Sequence, residues 1–210
     1  MNAQTALKPA KAAPKQVLDA AASCFMEKGY AGTSLDDVAR HMGATKGRIY
    51  HYFSSKSELL HAVRKRAMEI NFAAITPAFD SEEGPVEKLR AMARAHALNM
   101  MREQAYQQAL FDRLNLHITG GNRADRDVWR EEFMSDRRAF EDMFRAVLAE
   151  GQASGAFKIR TLSYALHAVI TMLNSTISWY RPRADEPENT QAQIADELVN
   201  MTLGALGVNT

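Results

Sequence analysis

The chain has 210 residues, 46% of them hydrophobic and 24% charged, which suits one or two compact units and excludes disorder of the whole. Its single cysteine, Cys24, excludes an internal disulfide and fits a reducing, cytoplasmic setting, where it reads as a small core residue rather than a reactive thiol. The formal net charge is +1, but residues 1–66 hold 11 Lys and Arg against 5 Asp and Glu, and residues 67–210 hold 15 against 20; a basic end on an acidic body points to phosphate at one end and argues against indiscriminate coating of nucleic acid.

Residues 1–14, an Ala/Lys segment interrupted by Pro9 and Pro14, read as a flexible arm and lack the apolar run of a secretory signal. Beyond them apolar residues recur at steps of three and four. Val17, Ala20, Ala21, Cys24 and Phe25 share one face of a first helix that Gly29 stops. Ser34 stands at an N-cap with Asp36 and Asp37 in the first turn, where exposed amides favour carboxylates, and Gly43 closes this second helix. Thr45 caps a short third helix through Tyr52. Ser55-Lys56-Ser57-Glu58 has the capping-box spacing that opens a fourth, running to about Ile75, with Pro77 and the acidic Asp80-Ser81-Glu82-Glu83-Gly84-Pro85 segment as the break. Further helices are expected over residues 86–103, 105–118, 124–151, 160–180 and 190–206, broken near Glu103, at Gly120-Gly121, between Gly151 and Gly155, and between Pro182 and Pro187. No alternating strand pattern occurs, and the most apolar later stretch, residues 164–173, falls short of the ~20 residues that span a membrane. The expected fold is all-α with about nine helices.

Two short helices joined by a tight glycine turn form a helix-turn-helix in residues 35–54. A reading helix must be short, exposed and armed at its N-terminal end, because only its first turns reach base edges in the major groove. Thr45, Lys46, Gly47 and Arg48 meet that need, and Tyr50, His51 and Tyr52 add groups that bond phosphates or touch bases. Ser34 and Lys56, at the starts of the second and fourth helices, join the candidate DNA contacts. Leu35, Val38, Ala39, Met42, Ile49 and Phe53 are spaced to pack the unit internally.

The run Phe25-Met26-Glu27-Lys28-Gly29-Tyr30, then Thr33-Ser34-Leu35-Asp36-Asp37-Val38-Ala39, Gly43-Ala44-Thr45-Lys46-Gly47-Arg48-Ile49-Tyr50-His51-Tyr52-Phe53 and Lys56-Ser57-Glu58-Leu59-Leu60, resembles the N-terminal domain of TetR-type regulators across residues 15–66. The resemblance implies a three-helix DNA-binding domain over residues 15–66 and a ligand-binding, dimerising domain over residues 67–210. It implies a homodimeric repressor whose small-molecule effector pulls two reading heads out of register on a palindromic operator. In such proteins the positions of Thr45, Lys46, Tyr50 and Lys56 usually meet the DNA backbone, whereas that of Arg48 varies and suits sequence reading.

Asn174-Ser175-Thr176-Ile177-Ser178-Trp179-Tyr180-Arg181-Pro182, with Glu150-Gly151 and Gly155-Ala156-Phe157, resembles a branch of the family that often answers to acyl-CoA thioesters or fatty-acid derivatives. That resemblance puts Asn174 and Trp179 near a pocket or a dimer seam and makes Arg137, Arg138 and Arg181 candidates for a CoA phosphate. The aromatic-to-proline end reads equally as a plain helix end packed between subunits. Met92, His96, Met100, Phe111, Leu114, Phe133, Phe140 and Phe144 either line an effector cavity or form ordinary core. Another class of hydrophobic effector, or a DNA-binding protein with none, stays open. Two heads ~34 Å apart require a two-fold seam. The eighth helix, with Leu162, Ala165, Leu166, Val169, Ile170 and Leu173, and the ninth, with Ile194, Leu198, Met201, Leu203 and Leu206, are apolar enough to form it as a four-helix bundle.

Enzyme chemistry has no foothold in the motifs: there is no Gly-x-Ser-x-Gly, no phosphate-cradling loop and no His pair four apart. The six histidines are scattered, so neither a metal, a cofactor nor a catalytic site is expected.

Overall fold

A computed structural model describes residues 13–111 and 123–209. Most of the expected arm, the end of the sixth expected helix with Leu114, and the break at Gly120-Gly121 lie outside the described residues. Ten helical segments and no strand occur among the described residues: α1 (Lys15–Gly32), α2 (Leu35–His41), α3 (Lys46–Tyr50), α4 (Lys56–Phe79), α5 (Pro85–Arg102), α6 (Gln104–Phe111), α7 (Arg123–Ala153), α8 (Leu162–Asn174), α9 (Thr176–Trp179) and α10 (Thr190–Ala205).

Local chemistry sets the ends of the first four. Gly29 adopts φ 68°, and the Thr33 hydroxyl donates to the carbonyls of Gly29 (2.8 Å) and Cys24 (3.0 Å) that this bend exposes. Ser34 and Asp37 close a reciprocal capping box on α2, with Asp37 N–H donating to Ser34 Oγ (3.1 Å) and Ser34 N–H to Asp37 Oδ2 (2.9 Å). Those bonds from Ser34, with others from Arg40 and Lys28, hold the Asp37 carboxyl well below the usual range. Gly43, at φ 61°, makes the turn into α3, a conformation an L side chain resists. At α4, Ser55 Oγ accepts from Glu58 N–H (3.1 Å), while the Glu58 carboxylate bonds Ser54 N–H (2.7 Å) instead of the cap residue's own amide.

Several expected boundaries differ; α3 ends at Tyr50, two residues before the expected Tyr52. Pro77 does not stop α4, which runs to Phe79. The proline falls in the last turn, and the Ala73 carbonyl it leaves without an amide belongs to an exposed residue, so water can satisfy it. Residues 160–180 do not form one helix: Ser175 N–H bonds Met172 O at 3.1 Å, a tightened turn that separates α8 from the four-residue α9.

The core falls into two clusters. Val17, Phe25, Val38, Ile49, Phe53, Leu59 and Val63 form the N-terminal one, closed underneath by Tyr106 and Ala109 from α6. Met68, Ile75, Leu89, Met92, Phe140, Phe144, Leu148, Leu173 and Leu203 belong to the second. Hence α4 contributes to both. Buried amides stitch α4, α5 and α6 where the clusters meet. Asn71 Oδ1 accepts from Asn99 (2.6 Å) and Gln107 (2.8 Å), and Arg64 Nε donates to Ala109 O (2.9 Å). Tyr106 OH donates to Asp19 of α1 at 2.7 Å, and burial, then this bond, push its pKa up.

Candidate nucleic-acid interface and internal cavity

Only Ile49 of α3 is buried; Thr45, Lys46, Gly47, Arg48, Tyr50 and His51 are all exposed. Tyr50 leaves 53% of its surface open, an unusual position for a phenol with nothing to cover it. Thr45 occupies the N-cap in extended conformation, yet its side chain makes no capping bond, which leaves the hydroxyl available. The Lys46 ammonium bonds the Asp36 carboxylate of α2, and that bond raises its pKa. The Arg48 guanidinium has no intramolecular partner among the described residues.

Three candidates stand beside this strip, two of them with their polar groups engaged. The Ser34 hydroxyl bonds Asp37 at 2.5 Å. Tyr52 is half-buried against the N-terminal core and meets the His51 ring edge-on at 5.0 Å. Lys56 points back at the end of α1, where Nζ donates to Tyr30 O (2.7 Å) and Ala31 O (3.3 Å) and lies 4.4 Å from the Tyr30 ring centre; burial lowers its pKa. A cation near the last carbonyls of a helix is favoured there. Nothing local in the sequence connects residues 30 and 56.

A cavity of about 40 Å³ lies among α4, α5, α6, α7 and α8. Of the residues singled out by sequence, His96, Met100, Phe111, Phe133, Arg137, Phe140 and Asn174 line it. Met92 and Phe144 are buried but stand behind the wall, with the Phe144 ring 5.6 Å from Phe140 and 6.1 Å from His96. Trp179 is 53% exposed on α9, and Arg181 donates to Tyr180 O (2.7 Å) and Ile177 O (3.3 Å), so the structure does not bring these two to the cavity. The wall also includes Met68, Asn71, Leu110, Glu141 and Ile170. Asn71 escaped notice as a polar residue, although it sits three residues after Met68 and four before Ile75, on the buried face of α4.

Polar groups are few and paired. His96 Nε2 lies 2.7 Å from Asn174 Oδ1, and Arg137 Nε lies 3.1 Å from Glu141 Oε1. Burial pushes His96 down to about 4 against the opposing bond from Asn174, so the ring is neutral at neutral pH.

Between α8 and α10 runs a groove of about 680 Å³ whose walls include Tyr164, Ala168, Met172 and Ala205, with Lys158 and Arg160 at one end. Leu166, Val169, Leu173, Leu198, Leu203 and Leu206, counted toward a seam from sequence, are buried in the chain's own core. Tyr164 (75%) and Met201 (58%) are the large apolar side chains these helices expose. No helix among the described residues is long and apolar enough to cross a membrane.

Residues 17–63 match the family model described as bacterial regulatory proteins of the tetR family, and residues 82–206 match that of the tetracyclin repressor-like C-terminal domain. The HTH-type transcriptional repressor KstR2 of Mycobacterium tuberculosis is 24% identical over 202 residues, 91% of each chain. Among solved structures, the TetR family regulator PfmR of Thermus thermophilus is 28% identical, superposes with a TM-score of 0.77 and covers 90% of this chain and 97% of its own. AibR in complex with isovaleryl coenzyme A and operator DNA shares the fold at a TM-score of 0.72, with 24% identity over 89% of this chain and 96% of its own.

Proposed function

Because the chain belongs to the TetR family of bacterial regulatory proteins, we propose that it is a homodimeric repressor that reads a palindromic operator and leaves it when a small molecule occupies the cavity around His96. The observation that carries this reading is α3, five residues with one buried and with Arg48 free of internal partners among the described residues. A guanidinium so presented matches the paired acceptors of guanine in the major groove. Thr45, Gly47, Tyr50 and His51 serve the phosphates around it, and Lys46 joins them by exchanging Asp36 for a phosphate oxygen. Ser34 and Lys56 act from behind, holding the ends of α1 and α2 that aim the reading helix, and Tyr52 supports it by packing on the N-terminal core beside His51.

Residues 15–66 thus serve as the DNA-reading unit and residues 67–210 as the sensing and dimerising one, in a cytoplasmic protein. Dimerisation through α8 and α10 is supported by the exposed Tyr164 and Met201 and by the small residues Ala168 and Ala205 between them. For the effector, an acyl-CoA thioester is supported by the 174–182 segment and by a fold that in AibR holds isovaleryl coenzyme A. A cavity of about 40 Å³ is far below the ~300–1,000 Å³ of ligand pockets, so entry must spread the bundle. Met68 and Asn71 carry that displacement along α4 to Leu59 and Val63 beneath the reading unit.

Selection of bound duplexes from a random pool by the purified chain tests the DNA reading. A two-fold symmetric site is expected to emerge, and Arg48→Ala is expected to relax one base pair per half-site at a cost of about 1–3 kcal/mol. Recovery of no common sequence at any salt concentration overturns it.

A further inference from the structure

His96 is 2% exposed, with its ring set against Phe140 at 5.2 Å and Phe144 at 6.1 Å. The atom 2.7 Å from Nε2 is the Asn174 carbonyl oxygen, which only accepts, so Nε2 carries the proton and donates. Nδ1 is then a bare acceptor, and it is buried without a donor facing it among the described residues. Among the cavity-lining residues, Asn71 Oδ1 accepts from Asn99 and Gln107, and Arg137 Nε donates to Glu141. Nδ1 is the fully buried polar side-chain atom of these residues that lacks a partner among the described residues, and a buried lone pair without a donor is costly.

We propose that the cavity takes an effector whose inserted end is an apolar skeleton bearing a hydroxyl, which donates a hydrogen bond to His96 Nδ1. The inference rests on the effector reading above and names the chemistry of the buried end. A carboxylate presents only acceptors to the Nδ1 lone pair and brings a charge into an aromatic setting. An ammonium can donate but loses its hydration in an aromatic setting. An ether or a thioester has no proton to give. Because burial keeps the ring neutral down to about pH 4, Nδ1 remains an acceptor throughout the physiological range.

The test uses the full-length chain labelled with 15N at histidine and three probes matched in heavy atoms: octan-1-ol, 1-methoxyheptane and heptanoate. Calorimetry is expected to give octan-1-ol an affinity about tenfold above either of the others. The His96 Nδ1 resonance is expected to move with the alcohol alone, and His96→Phe, which keeps a ring and removes the acceptor, to erase the advantage. The resonance is read on the unaltered chain, so the result does not depend on the variant folding. If the ether or heptanoate binds as well as the alcohol, or if Nδ1 does not respond, this inference is overturned while the effector reading stands. Binding by none of the three overturns this inference, and failure of an acyl-CoA thioester to bind in the same calorimetry overturns the effector reading as well.

Discussion

Lys46 bonds the carboxylate of Asp36, so its ammonium reaches DNA only by trading that carboxylate for a phosphate. Asp36 Oδ1 is buried with no hydrogen-bond partner among the described residues, a poor place for charge that Lys46 alone compensates. Asp36→Asn removes the competitor and is expected to tighten binding to operator and random duplex alike, by roughly two- to fivefold given the small worth of an exposed ion pair; fluorescence anisotropy on both duplexes checks it, and a gain confined to the operator contradicts the exchange. His96 makes a second residue-scale prediction. The unfolded ring protonates near pH 6.5 and the folded one near 4, so between those values the unfolded chain binds more protons and stability falls as pH falls. Above pH 6.5 the group contributes no pH dependence. Between pH 7 and 4.5 it costs on the order of 2 kcal/mol. Glu141 and Arg137 share the cavity wall, so the check is the difference between wild type and His96→Phe in urea unfolding at the two pH values. Equal losses in both would show that His96 is not neutral. The candidacy of Lys46 and Arg48 was legible in sequence because exposure and charge at a helix start are local properties. The inward turn of Lys56 was not, since it depends on where the fold brings the end of α1.

At the scale of elements, the starts and stops read from Ser34, Gly29, Gly43 and Ser55 correspond to real caps and turns, because each is decided within four residues of chain. The gap between α8 and α9 escaped a reading based on periodicity, since the chain stays helical there and only the hydrogen bond shortens from four residues back to three. Asn174, whose carbonyl meets His96 across the bundle, sits at that gap. The break read between Gly151 and Gly155 is where α7 ends, at Ala153. The constraint on Gly151 itself is contact: a Cβ there would lie 2.0 Å from the buried Phe157 ring. Gly151→Ala is therefore expected to destabilise the chain by about 1–3 kcal/mol as the ring is displaced. Chemical denaturation measures it, and a neutral outcome would mean that the 154–160 turn shifts freely.

Across the whole molecule, the all-α class followed from periodicity, whereas the joint between the clusters did not. Asn71, Asn99 and Gln107 count as solvent-facing in any amphipathic pattern, and they are buried only because partners 28 and 36 residues away satisfy them. For the proposed seam, the sequence reading named Met201, which is exposed, beside Leu166, Val169, Leu173, Leu198, Leu203 and Leu206, which the chain itself buries, and it missed the exposed Tyr164. Met201→Glu is expected to convert the proposed dimer to a monomer in light scattering with an unchanged circular dichroism spectrum, since the residue is 58% exposed in its own chain. A dimer persisting at the same concentration removes α10 from the seam. The floor of the N-terminal core belongs to Tyr106 and Ala109 of α6, with Tyr106 further tied to Asp19. A chimera that grafts residues 15–66 onto another sensor body would therefore inherit a foreign floor. Transplanting the specificity of this protein requires carrying the inner face of α6 along with the head, or re-evolving it in the new host.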